Sequence, residues 1–170
     1  MIIMAEAKIV ETSKGLSGLL RTFKSTMASM GLKLNDKVVF VGSAGTCVPF
    51  IELFAYTIRE PRVNMVLVPD GNLDESRSIW LVQGVGMQIG GATEPHGADF
   101  VVLLGGLSMP GSKVTAEDTE ALTRSILKPG GKVVGVCFMD MFRKAGWCDR
   151  VHFDALIDAN IDPVNVIKFQ

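Results

Sequence analysis

The chain has 170 residues, the length of about one domain, with 17 basic and 18 acidic side chains and a formal net charge of −1. With 48% apolar residues it can bury a core without staples, which excludes disordered, collagen-like and small disulfide-scaffold classes. The balanced charge offers no basic surface for nucleic acid, and the longest apolar runs fall far below the ~20 residues of a membrane span.

Met1–Glu6 lacks a basic n-region, so no signal peptide is expected. Ala7–Val10 reads as a short strand. Thr12-Ser13 then offers a helix cap, and Leu16, Leu19, Leu20, Phe23, Met27 and Met30 recur on one helical face before Gly31 stops it. This helix, within 12–31, is an N-terminal extension of a single domain spanning 1–170. Lys37–Val41 is an apolar strand that runs into Gly42-Ser43-Ala44-Gly45-Thr46-Cys47. Val48–Arg59 reads as a helix with Pro49 in its first turn, closed by Pro61. Val63–Val68 is a second apolar strand, ending at Pro69-Asp70-Gly71-Asn72.

Leu73–Val85 reads as a helix with Ile79, Trp80 and Val82 inward, and Gly84–Gly91 as either a short strand or a loop. Asp99–Leu104 is a third strong strand, followed by Gly105-Gly106-Leu107-Ser108-Met109. Thr115 caps a helix with early acids that ends near Leu127. Pro129–Gly131 is a turn, and Lys132–Phe138 a fourth strong strand. Asp140–Ala145 and Phe153–Ala159 read as short helices, and Val164–Phe169 as a final edge strand. Strands apolar on both faces, alternating with helices, predict a three-layer, Rossmann-like, doubly wound α/β sheet, mostly parallel.

In such sheets ligands bind outside the strand carboxyl ends, where strand order reverses. The candidate ligand- or cofactor-binding residues are therefore Gly42, Ser43, Gly45, Thr46, Cys47, Asp70, Gly105, Gly106, Ser108, Cys137 and Asp140. Glycines let backbone approach a ligand, and free helix N–H groups attract anions. The Gly42–Thr46 loop is neither a Walker A loop nor a G-x-G-x-x-G motif, so a turn that needs small residues is an equal reading. Asp70 can accept ribose hydroxyls or simply belong to a Pro-Asp-Gly turn. The chain should place Val63–Val68 on one side of the first strand and Asp99–Leu104 on the other. That puts a pocket between the Gly42–Cys47 and Gly105–Met109 loops, with Asp70 at one end and Cys137–Asp140 at the other. Valine at Gly45 or Gly105 should then abolish binding and leave the fold largely intact.

Cys47, Cys137 and Cys148 are odd in number and form no CxxC, which fits free thiols in a cytoplasm. Cys47 near a helix start can act as a nucleophile, but buried cysteine is more often apolar filler. Neither His96 nor His152 stands at metal-motif spacing from a cysteine, so no metal site is assigned, and His152 with Asp154 reads as a capping or surface pair. No nucleophile elbow or paired catalytic carboxylates is recognisable, so no catalytic residue is assigned.

Val38–Thr46, Val66–Asp70, Ala98–Val102 and Leu127–Val134 together resemble class I S-adenosylmethionine methyltransferases. The resemblance implies a glycine loop, a ribose acid and the fourth and fifth strands. It departs at Phe40, where that family has an acid, and at the spacing of Asp70 from Gly42. The Gly42–Cys47 loop and the stretch Cys137-Phe138-Met139-Asp140-Met141-Phe142 are similar to an uncharacterised archaeal family from methanogens, which implies no activity. The residues point to a cytoplasmic domain with a small anionic or nucleotide-type ligand, S-adenosylmethionine or a nucleotide being the cofactor candidates. The rivals are a methyltransferase and a non-catalytic homo-oligomeric or partner-binding protein. No nucleic-acid or membrane partner is expected.

Overall fold

The structure is a computed structural model that describes residues 6–60 and 62–169. Its frame is a seven-stranded sheet in the order β4-β3-β2-β1-β5-β6-β7. The strands are β1 (Lys37–Gly42), β2 (Asn64–Pro69), β3 (Arg77–Val82), β4 (Gly86–Ala92), β5 (Ala98–Leu104), β6 (Leu127–Phe138) and β7 (Ala155–Ala159). β2, β1, β5, β6 and β7 run parallel, while β3 and β4 return as an antiparallel hairpin on the β2 edge. Helices α1 (Gly15–Ser29), α2 (Val48–Thr57), α3 (Ala116–Ile126) and α4 (Met141–Lys144) complete the fold.

Alternation along each strand sorts two cores. Val38 and Phe40 of β1 join Phe100 and Val102 of β5 under α1 and α2. Val39 and Val41 join Val101 and Leu103 on the opposite face, with Ala116 and Ile126 of α3 and Phe142 of α4. Burial on both faces is what makes these strands continuous apolar runs. The order β2-β1-β5 puts the reversal at β1, as the sequence predicts. At the opposite, amino edge, the Asp99 carboxylate accepts the Lys37 N–H at 2.8 Å and pairs with Lys128, holding the starts of β1 and β5 together.

α1 buries Leu19, Phe23 and Met27, with Phe23 packed 4.7 Å from the Phe54 ring and 6.2 Å from that of Phe40. Leu16, expected on that face, is 54% exposed in the first turn of the helix.

Several sequence expectations change. Leu73–Val85 is not a helix: a short 3-10 turn over Leu73–Glu75 leads into β3. Gly84 and Gly86 at φ 77° and 119° supply the turn that folds β3 back on β4, and only Ile79 of the supposed inward face is buried. Phe153–Ala159 is likewise not a helix. Asp154 and Val133 exchange hydrogen bonds of 2.8 and 2.7 Å that start β7 along β6, and Gly135 leaves room for Phe153 and Leu156. The turn at Pro129–Gly131 lies inside β6 as an irregularity, where pairing jumps from Ala98↔Leu127 to Phe100↔Lys132. Residues 7–10 and 164–169 are exposed and form no strand. Among the described residues no helix is long and apolar enough to cross a membrane.

Candidate functional site

β1 ends at Gly42, and the loop that follows is anchored at Gly42 and Cys47, both buried, while Ala44, Gly45 and Thr46 between them are exposed. A Cβ on Gly42 would lie 2.7 Å from the Cys47 Cβ and 3.2 Å from that of Leu104. A Cβ on Gly106 would collide with Cys47 Sγ and lie 3.0 Å from Ser43 Oγ. A Cβ on Gly105 would lie 2.5 Å from the Cys137 Cβ and 3.0 Å from its Cα. These glycines let three strand ends and their loops come together. The expectation that valine at Gly105 spares the fold is therefore corrected, since it would push against the β6 backbone. Gly45 has open space but sits at φ 78°, so a side chain there strains the turn.

The pocket takes in Ser43 and Thr46 of the loop after β1 and Gly106 and Met109 of the loop after β5, but it does not reach Cys137 or Asp140. It opens instead on the β2 side, against α3. There a crevice of about 690 Å³ is lined by Ser43, Thr46, Asp70 and Gly106 together with Lys113 and Thr119. The 109–114 loop forms one wall, and Leu122 of α3 faces Gly71, whose Cβ would lie 3.7 Å from it. Asp70 adopts φ 50°, donates its N–H to the Gly42 carbonyl at 2.9 Å and accepts the Ala44 N–H at 3.2 Å. The turn after β2 and the loop after β1 thus form one rim.

Of the eleven residues expected at the site, Ser43, Thr46, Asp70 and Gly106 line this crevice, whereas Gly42, Gly45, Cys47, Gly105, Ser108, Cys137 and Asp140 do not. The Ser108 hydroxyl donates to the Gly105 carbonyl at 2.9 Å within its own turn. Cys137 and Asp140 gather around Asp158 of β7 instead: the thiol lies 3.4 Å and the Asp140 N lies 2.8 Å from its Oδ1. Burial, with the nearby Asp158 carboxylate adding to it, pushes the Cys137 thiol up to about 12, so it holds its proton at neutral pH. All three cysteines are free thiols, and Cys47 and Cys137 are buried. His96 pairs with Glu94 in a loop whose Glu94 and His96 carbonyls accept the Lys37 ammonium at the amino edge. His152 pairs with Asp154 at 3.3 Å, in keeping with the surface-pair reading. Among the described residues no three His, Cys, Asp or Glu side chains converge as metal ligands would.

The sequence points to the loop after β5, but no site residue is assigned there beyond Ser108 or on α3. Lys113, Asp118 and Thr119 all line the crevice. Thr115 accepts the Asp118 N–H at 3.0 Å, so the α3 N-terminus is closed by its own cap. A signal was present in α3: Thr119 and Thr123, four residues apart, occupy its buried stripe where apolar residues would serve.

Residues 14–162 match a family described as an uncharacterized protein conserved in archaea. An uncharacterized protein of Methanocaldococcus jannaschii is 38% identical over 154 residues, covering 91% of both chains. An uncharacterized protein of Methanothermobacter thermautotrophicus is 35% identical over 148 residues, covering 84% of this chain and 94% of the other. The crystal structure of a protein of unknown function from Methanothermobacter thermautotrophicus superposes with a TM-score of 0.84 at 31% identity, covering 96% of this chain and 100% of that one.

Proposed function

Because the chain belongs to this archaeal family, DUF2124, we propose a function from the geometry of its crevice: it binds a small nucleotide-type ligand over the ends of β1 and β2. One observation carries the reading. The crevice stands at the strand carboxyl edge beside β1, where the order reverses, which is where open α/β sheets hold their ligands. A volume of about 690 Å³ lies within the ~300–1,000 Å³ common for small-molecule sites.

The charged groups narrow the class. Asp70 and Asp118 oppose a single Lys113, leaving the lining with one surplus negative charge. A polyphosphate meets more like charge there than a nucleoside monophosphate, whose single phosphate carries about −1.5 to −2, while a neutral nucleoside or the net cationic S-adenosylmethionine meets no repulsion. Carboxylates suit the sugar hydroxyls, Lys113 one anionic group, and Met109, Val114 and Leu122 an apolar ring. The reading includes a cytoplasmic location, which the free thiols support.

The test is a thermal-shift and calorimetric panel of adenosine, AMP, GMP, CMP, UMP, ATP and S-adenosylmethionine. A ligand that binds only the native state raises the melting temperature. Nucleosides or monophosphates should shift it more than ATP does, and Asp70→Asn should weaken them. A panel in which nothing binds overturns the reading and leaves a fold that serves a protein partner instead.

A further inference from the structure

We infer that the chain pairs with a second copy of itself by exchanging the segment 164–169, each copy laying that segment as an added strand along the open edge of β4 in the other. The inference stands apart from the crevice.

Two unpartnered apolar features carry it. Val164, Val166, Ile167 and Phe169 are 75–94% exposed, and their segment makes no hydrogen bond among the described residues. Its β-branched and aromatic side chains, with no proline or glycine between them, are those of a strand.

The second feature is the hairpin of β3 and β4. β4 ends the sheet, so one side of its backbone is unpaired. Sheet edges are usually guarded by charge, proline or a covering element, and Gly86–Ala92 contains neither charge nor proline. β7, at the other edge, carries Asp158. Trp80, Leu81 and Val85 of the hairpin are 49–68% exposed. The Trp80 indole reaches across β4, since a Cβ on Gly90 would stand 2.9 Å from its Nε1. Trp80 and Leu81 are consecutive on β3 and so stand on opposite faces. An added strand likewise puts Val164 and Val166 on one face and Ile167 and Phe169 on the other, extending both apolar faces.

The two features meet only between copies. β4 and β7 stand at opposite edges of the sheet, six strand spacings or roughly 29 Å apart. The five residues after Ala159 carry Val164 at most about 18 Å from the end of β7, too short for the segment to lie along its own β4. A second copy has no such limit, and the return exchange closes the pair on a two-fold axis. Each contact engages the four segment side chains and the three of the hairpin. At about 80 Å² each, the two contacts withdraw roughly 1,100 Å² of apolar surface, near the ~1,200–2,000 Å² of a stable interface before the strand backbones are counted.

Sedimentation velocity of the full chain over a dilution series, with tryptophan emission read in parallel, tests this. The wild type should run as a dimer and dissociate on dilution. Its emission should move to longer wavelength as Trp80 is uncovered, while Trp147, 5% exposed, contributes no change. The double variant Val166→Glu with Ile167→Glu should be a monomer with the circular dichroism of the wild type. Trp80→Glu should be a monomer as well, and Val85→Glu on the turn repeats that arm without altering a strand. Mixed in equal amounts, the segment variant and a hairpin variant should form a one-to-one dimer weaker than the wild type. The intact segment of one then meets the intact hairpin of the other. A wild type that stays monomeric at every concentration, as it would if the segment folded back on its own β7, overturns the inference. So does a segment variant that still dimerises, which would assign the contact to the hairpins alone, and so does a mixture that stays monomeric.

Discussion

The Asp70 carboxylate accepts the Ala44 N–H at 3.2 Å while its own N–H donates to the Gly42 carbonyl at 2.9 Å. Asp70 therefore ties β2 to the loop after β1 and also offers a carboxylate to the crevice. Its φ of 50° lies in the left-handed region, which asparagine and aspartate tolerate and β-branched residues do not. Asp70→Asn should change stability by less than about 0.5 kcal/mol, and Asp70→Val should cost about 1–2 kcal/mol through that backbone strain. Urea denaturation of the two variants separates the cases, and equal stabilities would show that the turn carries no strain.

Gly105 and Gly45 should fail for different reasons. Alanine at Gly105 overpacks against Cys137 and should cost about 1–3 kcal/mol. Alanine at Gly45 meets no atom within 4 Å and should cost about 1–2 kcal/mol through its positive φ alone. The double variant Gly105→Ala with Cys137→Gly should recover part of the first loss, and Cys137→Gly should recover none of the second. Additive melting data for both pairs would argue against contact between Gly105 and Cys137.

The thiols should react in order of exposure. Cys148 is exposed, whereas Cys47 and Cys137 are buried. Iodoacetamide at pH 8 should modify Cys148 alone in the native protein and all three in denaturant, as read by peptide mass spectrometry. Cys137 also gives stability a pH dependence. Its native value of about 12 lies above the ordinary 9.0, so the unfolded chain loses this proton first. Its contribution is constant below pH 9 and is lost as pH rises towards 12. Cys137→Ala should flatten that alkaline decline in a denaturation series, and an unchanged slope would assign it to other groups.

The anchoring of α1 gives a fourth expectation. Phe23 is fully buried between Phe40 and Phe54, so Phe23→Ala should cost about 3–5 kcal/mol. Leu16→Ala, on the exposed side of the same helix, should change stability by less than about 0.5 kcal/mol. Comparable losses at the two sites would mean that α1 turns a different face to the sheet.

The parallel centre is legible because β1, β2, β5 and much of β6 are buried on both faces and leave little choice of element. Leu73–Val85 misleads because Ile79, Trp80 and Val82 can be placed on a helix, while the deciding information lies in the left-handed glycines at 84 and 86. Phe153–Ala159 is too short for its periodicity to choose, and pairing with β6 decides it. At the site, strand-end chemistry points to Ser43, Thr46, Asp70 and Gly106. It also points to Cys137 and Asp140, which belong to a neighbouring strand end, because sequence order does not say which loop leans towards which. Lys113 and Thr119 escape because a wall built from a loop and a helix flank has no motif.

The edge hairpin also bears on the order in which the chain can assemble. β2, β3 and β4 form an antiparallel meander whose partners are close in sequence, so they can pair within microseconds of collapse. β1 must instead meet β5, joining Val38 to Phe100 across that whole meander, before the parallel centre exists. Closing so distant a pair is the slow step in sheets of this kind. Trp80 on β3 and Trp147 beside α4 lie in these early and late regions, and their fluorescence should therefore change in separate kinetic phases on refolding.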